Sequence, residues 1–242
     1  MSVPPSRIFT LPLFPLNHVL FPQFLLQLHI FEERYLAMIG NCIDRNEPFG
    51  VVLIREGEEV GAPAVPSDVG CMVQIQKVEH LDDGRMHLIA AASGRFRILE
   101  YMEGELPYLV GRVEDVVDLP ASREGLDESV EELTTLFRRY LGLLADRAQT
   151  AQPDLDLPSD PSLLSFCVAY IIQVPLMVHQ HMLETTDARQ RIDEELDYLR
   201  EHVAALETER ADLAEELRRA TTFVPLEPAA ARWKEYGVES RN

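Results

Sequence analysis

The run Leu11–Pro22, LPLFPLNHVLFP, constrains this chain more than any other stretch. It is apolar, yet Pro12, Pro15 and Pro22 interrupt it. Proline fixes φ and removes a backbone donor, so the run is predicted to be neither a helix nor a central strand. What remains is an extended segment laid over an apolar surface. The next residues supply that surface. Phe24–Ile30 reads as a strand in which Gln27 and His29 break an apolar run. Phe31, Tyr35, Met38 and Cys42 then recur at spacings of four, three and four, which puts them on one face of a helix stopped by Asn46 and Pro48. Glu32 and Glu33 fall in its first turn, where the helix dipole favours negative charge. Phe49–Ile54 is rich in β-branched residues and reads as a buried strand. Strand, helix and strand, each apolar on one side, form the seed of a core.

Short strand signals continue to about Asp118. A loop spans Glu56–Asp68, punctuated by Gly57, Gly61, Pro63 and Pro66. Val69, Cys71, Val73 and Ile75 alternate with polar residues, and the phase shifts at Val78, which predicts a bulge near Gln76–Lys77. Asp82-Asp83-Gly84-Arg85 is predicted to be a type I′ hairpin turn. Met86, Leu88 and Ala90 form the return strand, Phe96 and Ile98 a next one, and Tyr108–Val117 a further one. Several strands with a single helix suggest a curled sheet or small barrel.

After Pro120 the period becomes helical. Val130, Leu133, Phe137, Tyr140 and Leu144 mark one helix within Glu124–Arg147, and the proline-rich stretch Thr150–Pro161 is a linker. Asp160-Pro161 opens an apolar helix through Val174, and Pro175 opens another. Thr186-Asp187 is placed to cap a last, long helix whose Ile192, Leu196, Leu199, Val203, Leu206, Leu213 and Leu217 keep a heptad rhythm. The expected fold class is α+β, with a β-rich lobe over residues 1–118, a helical bundle over 119–222 and a tail over 223–242. The tail residues Phe223, Val224, Leu226 and Trp233 are apolar enough to dock on the body or on a partner.

A resemblance rests on several of these pieces. LPLFPL-NHVLFP, IFEERY, FGVVLI and the loop EEVG, followed in order by DDGRMHL, GRFRI and PYLVGRVE, resemble the N-terminal substrate-binding domain of the ATP-dependent Lon protease. That domain also occurs alone in small bacterial proteins and inside cereblon. The resemblance implies a PUA-like β-barrel lobe and a module that captures unfolded or tagged polypeptides. Glu32, Arg34 and Tyr35 fall in its IFExRY motif, and Arg95 and Arg97 in its GRFR motif. These residues either line a ligand surface or fasten the helix to the sheet. The second reading is preferred, because both motifs lie inside core-forming elements.

Charge and motif content narrow the function classes. The net charge of −19 argues against nucleic acid, which draws affinity from neutralised phosphates, and against anionic membranes. RNA binding, which the resemblance to a PUA-like lobe also implies, therefore stands third behind polypeptide capture and an adaptor role. Lys77 and Lys234 are the only lysines, and neither sits in a phosphate-binding loop or a Ser–Lys setting. No G-x-S-x-G is present, and His179 and His181 are two apart without HExxH, so they read as surface or capping histidines. Cys42, Cys71 and Cys167 are isolated in apolar contexts, as expected of reduced thiols in the cytoplasm. The acidic run Glu194, Glu195 and Asp197 reads as a solvated face. No enzyme, cofactor or metal is expected. Phe14, Phe21 and Phe24 are the candidate peptide-binding residues, in a groove between the lobes. Leu213, Leu217 and Trp233 are the candidate contacts for a protein partner or for self-association.

Overall fold

The structure is a computed structural model that describes residues 6–58, 65–102, 106–119 and 125–221. Within them the chain forms β1 (Ile8–Leu16), β2 (Leu25–Ile30), α1 (Glu33–Arg45), β3 (Phe49–Glu56), β4 (Val65–His80), β5 (Met86–Tyr101) and β6 (Val110–Val116). Four helices follow: α2 (Leu126–Ala148), α3 (Pro161–Ile171), α4 (Leu176–Glu184) and α5 (Ala188–Thr221). The strands pair in the order β2-β5-β4-β3-β1-β6, and β5 also pairs with β6. Five strands therefore pair in a closed ring, and β2 hangs from the first half of β5. The β1–β3 pair is parallel and the others are antiparallel, so the sheet is mixed.

The first half of the proline-broken run, through Leu16, is a strand after all. β1 has neighbours on both sides, but the two ladders are staggered. It pairs with β6 from Ile8 to Pro12 and with β3 from Leu13 to Leu16. The Leu13 N–H donates toward β6, to the Leu109 carbonyl at 2.9 Å. Successive residues of a strand alternate sides, so Pro12 faces β3 just before that ladder begins. Pro15 faces the other side, past the end of the β6 ladder. Each missing donor falls where no partner strand waits for it.

Both faces of the ring strands are apolar because both are covered. Leu11, Leu13, Val52, Phe96, Ile98 and Val113 form one small buried cluster. Room for the Phe96 ring depends on glycine: a Cβ at Gly50 would sit 2.5 Å from it, and a Cβ at Gly70 would sit 2.3 Å from the Val51 carbonyl oxygen. The opposite face contributes Phe14, Phe49, Val51, Leu53, Cys71 and Val73 to a larger cluster that continues under α1 and into the helices. That is why Phe49–Ile54 is buried without alternation.

Local readings match in detail, with four corrections. The loop read over Glu56–Asp68 is shorter, because β3 runs to Glu56 and β4 starts at Val65, with Pro66 paired to Ile54. Asn46 ends α1 in the left-handed region at φ 52, and Asp160 caps α3 by accepting from the Leu163 N–H at 2.9 Å. The bulge falls between Ile75 and Lys77. The hairpin turn, however, closes from the Gly84 N–H to the Leu81 carbonyl, and among its residues Gly84 alone has positive φ. It is thus a type I turn with a glycine bulge, not type I′. Met86–Tyr101 is one strand of 16 residues, since β4 and then β6 pair along its whole length. Phe31 leaves the buried stripe of α1 because the helix starts two residues later, at Glu33.

The helical half packs α2 parallel to α5, with Glu132 bonding Arg200 near the start of the contact and Arg147 bonding Glu209 near its end. Asp187 starts α5 by accepting from the Arg189 N–H at 2.9 Å. Ile192, Leu196, Leu199 and Val203 are buried as the heptad predicted, whereas Leu213 is 57% exposed. No helix among the described residues is long and apolar enough to cross a membrane.

Candidate functional site

Two places on this scaffold carry unusual chemistry. The first is a buried charged seam where β5 meets the helices. Arg95 on β5 and Arg191 on α5 both bond Asp118, which Ser162 also bonds. The Arg191 side chain has no exposed surface. Arg95 donates to the Leu183 and Thr185 carbonyls at 2.6 and 2.9 Å, and Arg191 to Thr185 at 2.7 Å. These carbonyls end α4, where the helix dipole and the orphan oxygens favour cations. Both guanidiniums lie over the Phe166 ring, 5.1 and 4.2 Å from its centroid. Arg95 thus fastens the sheet to the helices, the preferred structural reading of the GRFR motif. Arg97 is exposed and faces Glu114 at 3.9 Å.

Electrostatics within the seam divide its two acids. Burial pushes the Asp118 carboxyl up, but the Arg191 hydrogen bonds, the charges of Arg191 and Arg95 and the Ser162 hydroxyl outweigh that and hold it below the usual carboxylate range. Glu195 is fully buried, and desolvation raises it well above the usual range despite the Ser165 hydrogen bond and the nearby Arg191. Glu195 is therefore no part of a solvated face, which corrects the reading of the acidic run; Asp197 is exposed. Sequence reasoning missed Asp118 and Arg191. A signal existed: positions 191 and 195 are one turn apart and adjoin Ile192 and Leu196, inside the width of a buried stripe.

The second place is the outer edge of β2. Among the described residues, β2 is the one strand with a single partner, β5. Leu26 and Ile30 point into the core, while Leu25, Gln27 and His29 are exposed. Leu25 is 59% exposed and Phe31, just past the strand, 49%. A cavity of about 420 Å³ lies on the outer face against Gln27, His29, Lys77, Glu79, His87 and Ile89. A second, of about 170 Å³, lies on the core side against Phe14, Leu16, Ile30, Phe31 and Tyr35. Glu32 and Arg34 pair locally at 3.0 Å beside it, with the Arg34 guanidinium 4.5 Å from the Tyr35 ring.

The candidate aromatic residues occupy different depths. Phe21 has no exposed surface and packs on Phe166 and His179. Phe14 is buried and stacks on Tyr35 at 4.1 Å, so only its edge reaches the smaller cavity. Phe24 is half-buried and stacks on Tyr170 at 3.8 Å. The three rings therefore do not converge on one open groove between the lobes. His179 is half-buried and bonds the Ile172 carbonyl at 3.0 Å, capping the end of α3, while His181 is exposed beside Glu194. Leu213 borders a cavity of about 390 Å³ with Leu143, Gln149, Leu206 and Arg210, between the end of α2 and α5. The Leu217 side chain, Trp233, the tail and residues 59–64 lie outside the described residues.

Comparisons with known proteins agree with this architecture. The family model of the ATP-dependent protease La (LON) substrate-binding domain matches residues 10–201. The chain is 28% identical over 199 residues to the Lon protease of Syntrophus aciditrophicus, covering 78% of this chain and 25% of that one. It is 29% identical over 192 residues to Lon protease 2 of Myxococcus xanthus, covering 78% and 23%. The chain thus spans about a quarter of the length of the curated relatives it matches. A solved Lon N-terminal domain protein from Xanthomonas campestris superposes with a TM-score of 0.58 at 26% identity, covering 78% of this chain and 98% of that one. The N-terminal domain of a Mycobacterium avium complex Lon protease has the same fold, with a TM-score of 0.57 at 17% identity and coverage of 80% and 100%. The matched span runs from β1 well into α5 and takes in both the ring and the seam, so this chain belongs to the Lon substrate-binding domain family.

Proposed function

We propose that the chain is a non-catalytic, cytoplasmic polypeptide-binding module that captures unfolded or apolar segments, with the ring acting as a small PUA-like barrel and residues 119–222 as a separate helical lobe. The observation that carries this reading is the exposed apolar rim at β2: Leu25 and Phe31 stand out at the two ends of a strand flanked by cavities on both faces. Exposed apolar side chains beside concave surface are how a soluble protein holds another chain. The matched family's description as a protease's substrate-binding domain supports a polypeptide ligand. Phe14 and Phe24 would then support the rim from below, and Phe21 the core beneath them.

The test is capture of a permanently unfolded protein, such as carboxymethylated α-lactalbumin, by fluorescence anisotropy. The native chain should bind in the micromolar range, and a Leu25→Ser/Phe31→Ser variant should bind at least about tenfold more weakly, as expected from about 1.4 kcal/mol of lost apolar contact. Equal binding by both proteins sinks the reading.

A second reading, an adaptor working through α5, rests on the cavity at Leu206 and Leu213 and on the exposure of Leu213 beyond the end of α2. Leu217 and Trp233 belong to this reading as further contacts. Removing residues 207–242 should abolish self-association or partner capture, measured by light scattering and pull-down, while the β signal in circular dichroism is retained.

A further inference from the structure

We infer that the outer edge of β2 binds its polypeptide as an added strand, so that the ligand is an extended segment with apolar residues at alternate positions. This rests on the polypeptide-binding reading and goes beyond it, because it specifies the conformation and sequence pattern of what is bound.

Backbone geometry fixes which groups are available. The Phe24 carbonyl accepts from the Ala92 N–H at 2.9 Å, so it points toward β5. With the register Leu25↔Ala91 through Ile30↔Met86, alternate residues point the same way. The N–H and C=O groups of Leu25, Gln27 and His29 therefore point outward. Among the described residues no strand or turn bonds them. A row of alternating donors and acceptors at strand spacing is matched by the backbone of another extended chain, whereas a helix keeps its own backbone groups occupied.

The edge is also unguarded. Soluble proteins blunt open edges with charged residues, proline or inward-pointing charge. Residues 25–30, LLQLHI, contain none of these. Among the described residues the second half of β4, Gln74–His80, also has β5 as its only neighbour, but it carries Lys77 and Glu79, so the open edge without charge is that of β2.

The flanking cavities set the pattern of the ligand. Side chains of an added strand alternate between the two faces. One set lies beside the polar side chains of Gln27 and His29. The other reaches the smaller cavity beside Phe14, Leu16, Phe31 and Tyr35. The preferred segment alternates polar and apolar residues and lacks proline where it bonds the edge.

The experiment uses a fluorescein-labelled peptide of seven alternating threonine and valine residues and the full chain. Two peptide variants carry N-methyl groups, one on the valine amides and one on the threonine amides. An added strand points one set of amides at β2 and the other at solvent. One variant should therefore bind at least about tenfold more weakly and the other within about threefold of the parent. On the protein, Gln27→Pro removes an outward donor without touching a bond to β5. It should weaken the parent peptide by about tenfold, while Gln27→Ala should not. Circular dichroism reports whether Gln27→Pro folds; if it does not, the methylated peptides decide alone. Equal tolerance of the two methylated peptides, unchanged binding to folded Gln27→Pro, or no binding of the parent peptide overturns the inference. In those cases continued capture of carboxymethylated α-lactalbumin leaves the polypeptide-binding reading standing, and its loss ends both.

Discussion

The seam at Asp118 and the edge of β2 treat polar groups in opposite ways. At the seam, two guanidiniums, a carboxylate, two hydroxyls and the last carbonyls of α4 bond one another out of water. At the edge, backbone groups of three residues face outward and exposed apolar side chains flank them. Buried charge is tolerated only where its partners are complete. An open strand edge persists in a soluble protein at a risk of aggregation. The contrast separates a region built to hold two halves together from one built to accept something else.

Changes at the seam should therefore register in stability and changes at the edge in binding. The largest effect is expected for Arg191→Ala, which removes two hydrogen bonds and one of the two counter-charges from Asp118, takes a donor from the Thr185 carbonyl and opens a void beside Phe166. A loss of about 3–5 kcal/mol is expected in urea unfolding; a loss below about 1 kcal/mol would mean that the seam does not join the halves. Asp118→Asn should cost about 3 kcal/mol, because two buried guanidiniums lose their counter-charge. It should also flatten the acid limb of stability against pH. A depressed carboxylate contributes stability above its unfolded pKa of about 4, lost as pH falls through the lower folded value.

Glu195→Gln should act in the other direction. Because the folded pKa of Glu195 is raised, the native state holds a proton that the unfolded chain releases above about pH 4. Stability attributable to this group therefore falls as pH rises from there. The variant should raise Tm at pH 8 by a few degrees, on the order of 1 kcal/mol, and by less at pH 5. The opposite order in a thermal melt series would show Glu195 to be ionised in the fold. Smallest in stability, within about 0.5 kcal/mol, is the Leu25→Ser/Phe31→Ser variant, since both side chains are already exposed. If it unfolds the chain, the edge belongs to the core and the comparison fails.

How much was legible in the sequence follows from range. Asn46 as a helix stop, Asp160 as a cap, the bulge at Ile75–Lys77 and the heptad from Ile192 to Val203 were all readable, because each depends on neighbours within a few residues. The strand at Pro12 and Pro15 was not, since only the stagger of β3 against β6 shows that no donor is missed. Arg191 and Glu195 were not, since a charge on a helix reads as solvated until its partners are known. The phenylalanine-rich run was rightly read as apolar, but its order of burial was hidden: Phe21 lies deepest because α3 brings Phe166 onto it.

By itself the sequence determined most element types, the helix caps, the apolar faces and the family. These are set by backbone donors, side-chain branching and periodicity over one or two turns. Only the tertiary structure decided that β5 closes onto β6, that Asp118 meets arginines 23 and 73 residues away, and that β2 keeps a bare edge. The reason is that a hydrogen bond or ion pair between distant segments is specified by both ends together, and neither end alone carries a mark of the other.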